Sequence, residues 1–87
     1  MADSHKSIKI WLLAYNNSMK NFSLRLKETL KTNGMSQQEL AKKINMSQSV
    51  VNNYCTGKRE PTLDVLVSIC KALNESADYL LGIDDWK

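Results

Sequence analysis

MSQQELAKKINMSQSVVNNYCTGKR, residues 35–59, holds two short helical patterns with almost no chain between them. Ser36 opens the first. Its hydroxyl can accept from a first-turn backbone amide while Glu39, three residues on, reaches back to the amide of Ser36, which makes S-x-x-E a capping box. Leu40, Ala41 and Ile44 form one apolar stripe at helical spacing, and small Ala41 lets a second helix cross closely. Asn45 tolerates the left-handed conformation in which helices often stop, so the turn falls there. Met46 follows as an apolar plug. Ser47 is a second N-cap, and the spacing predicts a helix to about Thr56, ended by Gly57.

In the second helix Val51 and Tyr54 share a face, flanked by Val50 and Cys55. The other face carries Ser49, Asn52, Asn53 and Thr56, with Gln48 in the exposed first turn. An ordinary solvated face would carry Lys and Glu. Short amides and hydroxyls instead reduce helix stability by up to roughly 0.7 kcal/mol each relative to Ala. They are donors and acceptors at once, which is what base edges in a major groove require.

These residues resemble the phage repressor and Cro-like helix-turn-helix family, the xenobiotic response element type. Ser36, Gln37, Leu40, Ala41, Ser47, Val51 and Gly57 match its motif, and Leu66, Ile69, Ala72, Leu73 and the run Asp78 to Gly82 continue the match, so the resemblance covers about residues 20–83. Asn45 stands where a turn Gly is usual, and Cys55 where Glu is frequent. The resemblance implies a five-helix, lambda-repressor-like DNA-binding domain. It also implies that Gln48, Ser49, Asn52 and Asn53 face bases, that Gln37 contacts a phosphate and braces Gln48, and that Thr56, Lys58 and Arg59 hold the DNA backbone.

The flanking segments read as helices too. Phe22, Leu26 and Leu30 recur every fourth residue and stop at Asn33-Gly34; Arg25, Lys27 and Lys31 are expected on that helix's exposed side, within reach of phosphate. After the loop closed by Pro61, Thr62 caps a helix with Asp64 in its first turn and Leu63, Leu66, Ile69, Cys70 and Leu73 as its expected core stripe. Asn74-Glu75 is the next break. Ser76 then caps a last helix through Leu81, with Tyr79 and Leu80 inward and Gly82 ending it. No stretch alternates like a strand, so the chain is expected to be all-α, with five core helices over residues 19–83 and a short tail at 84–87.

Residues 1–18 stand apart. Ile8, Ile10, Trp11, Leu12, Leu13 and Tyr15 form an apolar run far below the roughly 20 residues of a membrane-spanning helix, with no small-residue cleavage site after it. The segment reads as a sixth helix in front, a leader, or residues foreign to the domain; a cytoplasmic protein with no membrane partner is expected.

With 87 residues, 43% of them hydrophobic, the chain has the length and composition of one globular domain. The net charge is only +3, but residues 20–59 carry eight basic against two acidic side chains, whereas residues 60–87 carry two against six. A positive half around the polar helix and a negative half away from it suits a nucleic-acid module. Cys55 and Cys70 form no C-x-x-C and have no histidine cluster near them. No zinc site, other metal site or disulfide framework is therefore expected, and free thiols in a reducing cytoplasm fit. One histidine and no Gly-rich phosphate loop, acid pair or nucleophile-base set leave nothing catalytic to assemble and no cofactor to hold.

The reading is a sequence-specific DNA-binding transcriptional regulator, a repressor that binds double-stranded DNA at a palindromic operator as a homodimer, and not an enzyme. The alternative is a protein-interaction module or antitoxin that uses the same fold to bind a partner protein.

Overall fold

The computed structural model describes residues 21–83, and over that range the chain is helical without strands. α1 is helical from 21 to 32. It is followed by α2 (Gln37–Lys43), α3 (Gln48–Thr56), α4 (Leu63–Leu73) and α5 (Ala77–Leu80). The expected all-α, five-helix architecture is what is observed. The expectations for residues 1–18 and 84–87 lie outside the described residues.

Each helix after the first starts at a residue whose side chain is built for the purpose. Ser36, Ser47, Thr62 and Ser76 sit in extended backbone, and each hydroxyl accepts from the amide three residues on. At α2 the box is reciprocal: Glu39 N–H donates to Ser36 Oγ at 3.0 Å, and Ser36 N–H donates to Glu39 Oε1 at 2.9 Å. That second bond is the main reason the Glu39 carboxyl titrates below its ordinary value, with the Ser36 hydroxyl, Lys43 and Lys42 adding to it. A lowered folded-state pKa means stability that is present above the ordinary value of 4.5 and lost as the pH falls through the folded value. Glu39→Gln keeps an acceptor at this position but cannot titrate. Its urea midpoint is therefore expected to depend less on pH below 4.5 than that of the unaltered chain; two parallel pH profiles would contradict the assignment.

The helix ends are equally local. Asn45 (φ 59°) and Asn74 (φ 54°) take the left-handed conformation after α2 and α4, and Gly57 (φ 79°) takes it after α3. Met46 N–H then donates to Ala41 C=O at 2.9 Å, which closes the tight turn between α2 and α3.

The core gathers one stripe from each helix. Phe22, Leu26 and Leu30 of α1, Leu40 and Ala41 of α2, Val51, Tyr54 and Cys55 of α3, Leu66, Ile69 and Leu73 of α4 and Leu80 of α5 are all buried in one cluster, with Met46 and Ile44 packed against it. Polar contacts tie α1 and the turn after it to the later helices. Asn33 Nδ2 donates to Leu73 C=O at 3.2 Å. Arg25 Nη1 donates to Tyr79 C=O at 2.9 Å, with its guanidinium 4.6 Å from the Tyr79 ring centre.

Two expectations need correction. Arg25 is half-buried against α5, so only Lys27 and Lys31 are exposed as expected on α1. Leu63 is not part of the α4 core stripe but 80% exposed. At about 100° per residue it falls to the side of the Leu66, Ile69 and Leu73 stripe and beside Val67, which is 51% exposed. The leucine pattern alone could not tell the last core position from the first outward one.

Candidate nucleic-acid interface

α3 is set by the turn before it and the core beneath it. Ser47 caps its start, Val51 and Tyr54 anchor its inner face, and Cys55 is buried beside them. Burial pushes the Cys55 thiol up, with Lys27 opposing, and burial likewise pushes up that of Cys70. Both therefore stay as protonated thiols, which are poor nucleophiles. Gly57 ends α3 in a conformation that glycine adopts without strain. A Cβ there would lie 3.6 Å from the Ser23 hydroxyl of α1, an ordinary contact distance, so the backbone conformation alone favours glycine.

The outer face of α3 is the one expected from spacing. Gln48, Ser49, Asn52 and Thr56 are exposed, and Asn53 is half-buried at its margin. Beyond Gly57, the backbone folds back onto the helix: Lys58 N–H donates to Asn53 C=O at 2.9 Å, and Arg59 N–H donates to the same oxygen at 3.3 Å. The two exposed basic side chains are thereby held at the end of the polar face. Thr56 donates its hydroxyl to Asn53 C=O as well, at 3.3 Å.

Gln37, the first residue of α2, is half-buried and reaches across to α3. Its partner is not Gln48, as the resemblance implied. Asn52 Nδ2 donates to Gln37 Oε1 at 3.2 Å, four residues, about one helical turn, further along α3. The contact depends on how α2 crosses α3, which residue spacing does not encode. The bond uses one N–H of Asn52 and leaves its second N–H and its carbonyl oxygen, the pair that a bidentate contact to adenine requires. Gln37 keeps both of its own N–H donors.

The eight residues singled out by sequence therefore lie together, on α3, the loop that follows it and the first turn of α2. Among the described residues no group of three His, Cys, Asp or Glu side chains could hold a metal ion, and no helix is long and apolar enough to cross a membrane.

Comparison with known proteins places this geometry. A family model described as helix-turn-helix matches residues 26–80. The chain is 39% identical over 61 residues to the HTH-type transcriptional regulator ImmR of Bacillus subtilis (strain 168), an alignment that covers 70% of this chain and 48% of that protein. Two further proteins of the same organism are similar. One is the uncharacterized HTH-type transcriptional regulator YobD, 33% identical over 70% of this chain and 54% of its own length. The other is the uncharacterized HTH-type transcriptional regulator YqaE, 37% identical over 69% of this chain and 52% of its own length. The chain thus spans about half the length of the curated relatives it matches. No solved structure matches. The family match runs from within α1 to the end of α5 and contains both capped helices with the turn between them, so the chain belongs to the helix-turn-helix family, in its Cro and phage-repressor form.

Proposed function

We propose that this chain is a sequence-specific DNA-binding transcriptional regulator, a cytoplasmic repressor that acts as a homodimer. In this reading the unit spanning residues 19–83 lays α3 into the major groove. Gln48, Ser49, Asn52 and Asn53 meet base edges; Gln37, Thr56, Lys58 and Arg59 meet the phosphodiester backbone. Two copies span half-sites about 34–36 Å apart on a palindrome. Double-stranded DNA is the partner, and no cofactor takes part.

The observation that carries the reading is the exposed amide and hydroxyl face of α3, bordered by Lys58 and Arg59 and tied to α2 through the Gln37–Asn52 bond. A helix stabilised only by its own packing gains nothing from Asn at two adjacent positions on or beside its solvent side. A protein-docking face would be expected to centre on large apolar or aromatic side chains, and none stands on this one. The names of the relatives, transcriptional regulators of helix-turn-helix type, agree with it.

Base contacts select sequence, while phosphate contacts add affinity that falls with salt. Lys58→Ala is therefore expected to weaken binding to all duplexes alike and to reduce the slope of log affinity against log salt by about one. Fluorescence anisotropy with a fixed pool of random duplexes, titrated at several salt concentrations, checks this. Loss confined to particular sequences, with an unchanged slope, would remove Lys58 from the backbone-contacting set.

A further inference from the structure

The turn after α5 holds an isoleucine in place and leaves it uncovered. Gly82 takes the left-handed conformation (φ 82°) after the cap residue Leu81. Its N–H donates to Tyr79 C=O at 3.1 Å, and Ile83 N–H donates to Asp78 C=O at 2.9 Å. This pair of bonds usually comes with an apolar contact from the residue in Ile83's place to one in the place of Asp78 or Ala77. Those two positions offer only a carboxylate and a methyl group, and Ile83 is 73% exposed. The same turn lies tightly against the start of α1: a Cβ on Gly82 would stand 2.7 Å from Asn21 Nδ2 and 3.0 Å from Asn21 Cβ. About one turn along α1 from Asn21 is Leu24, 51% exposed. Leu24 and Ile83 thus flank the residue at which the chain enters α1. Further along, the outer side of α1 turns to Lys27, Glu28 and Lys31, so the apolar ground is confined to that entry point.

The sequence that enters α1 there carries side chains suited to cover this ground. Ile8, Trp11, Leu12 and Tyr15 recur at i, i+3, i+4 and i+7, the spacing of one helical stripe. Asn16, Asn17 and Ser18 follow, residue types favoured in turns. Tyr15 is six residues before Asn21, a length of chain that can reach about 20 Å. We propose that the segment from Ile8 to Tyr15 folds back onto Leu24 and Ile83 and covers them. A short tether gives such a segment a millimolar effective concentration, which favours it over a second copy or a separate protein. Trp86 is also near Ile83 in sequence, but it stands alone between Asp84, Asp85 and Lys87, a charged setting that disfavours its burial. The cover joins the start of α1 to the turn after α5, so its loss acts on stability. Neither Leu24 nor Ile83 belongs to the polar face of α3, and DNA binding is expected to change only with the folded fraction.

The test is a double-mutant cycle in the full chain: Trp11→Ser, Ile83→Ser and the two together. Urea midpoints are followed by circular dichroism, which also shows that each variant folds. An isoleucine that is 73% exposed and covered by nothing can be replaced with little effect. Under the proposal Ile83→Ser instead lowers the folding equilibrium constant about tenfold, Trp11→Ser does likewise, and the double variant falls little further than either, because both remove one contact. Fluorescence gives a second reading. In a Trp86→Phe background, Trp11 emission is expected at shorter wavelength than in the urea-unfolded chain, and Ile83→Ser should move it toward the unfolded position while the helical signal stays. Four outcomes would overturn the proposal: a near-neutral Ile83→Ser, losses at Trp11 and Ile83 that add in full, an Ile83 coupled to Trp86 in a parallel cycle with Trp86→Ser and not to Trp11, or a coupling that grows with protein concentration and so belongs to a second copy.

Discussion

Phe22→Ala is expected to cost about 3–5 kcal/mol of folding stability, the range for removing a buried aromatic ring. Phe22 is fully buried, one turn before the equally buried Leu26 and two before Leu30. This α1 stripe belongs to the same buried cluster as Val51 and Tyr54 of α3. The ring's loss forfeits both its transfer from water and the contacts around the cavity left behind. Small domains have stabilities near the low end of about 5–15 kcal/mol, so this single change removes most of the margin. The expected result in urea, followed by circular dichroism, is a large fall in midpoint with the slope retained. DNA affinity should fall in step with the folded fraction, because the polar face itself is untouched. A change under about 1 kcal/mol, the mean for point substitutions at large, would show that the α1 stripe does not support the reader.

Asn52→Ala is expected to lose about 1–3 kcal/mol of discrimination at one base pair of the operator while leaving binding to unrelated duplexes unchanged. The preference lost should be for adenine, since the bond to Gln37 leaves Asn52 with one donor and one acceptor to present. Gln37→Ala should blur the same base pair to a smaller degree, because Asn52 then keeps its chemistry and loses its orientation. It should also weaken binding overall through the lost phosphate contact. Sequencing the duplexes retained by each variant reads both effects in one experiment. If Asn52→Ala lowers affinity for all sequences equally, base reading lies elsewhere on α3. If Gln37→Ala alters a base pair that Asn52→Ala does not, the hydrogen bond between them is not what positions Asn52.

Most of the fold was legible because its decisive signals act over three or four residues. Ser36 with Glu39, Ser47, Thr62 and Ser76 each close a bond to an amide three positions away. Asn45 and Gly57 satisfy a backbone conformation that few residues take without strain. The polar face of α3 followed from the same periodicity once Val51 and Tyr54 were set inward. What spacing missed involves residues brought together by the crossing of helices. Arg25 meets Tyr79 across 54 positions of chain, and no local pattern marks an arginine as half-buried rather than solvated. Gln37 meets Asn52 across 15 positions, and choosing it over Gln48 requires knowing where along α3 the first turn of α2 lies. Leu63 shares the residue type and the approximate spacing of the α4 stripe, yet it turns outward because the stripe's axis runs through Leu66, Ile69 and Leu73. Hydrophobic spacing identifies a helix face to within a residue or so, and a leucine at its edge is decided by the neighbouring helices.

The most direct test of the account is selection from a random duplex pool by the full chain at two salt concentrations, with sequencing of what is retained. The expected result is a palindromic motif with A·T pairs at contacted positions, its half-sites one helical turn apart, enriched further at the higher salt where nonspecific binding fades. Binding that is weak, salt-sensitive and without any motif would contradict the account, and would point to a fold used to hold a partner protein.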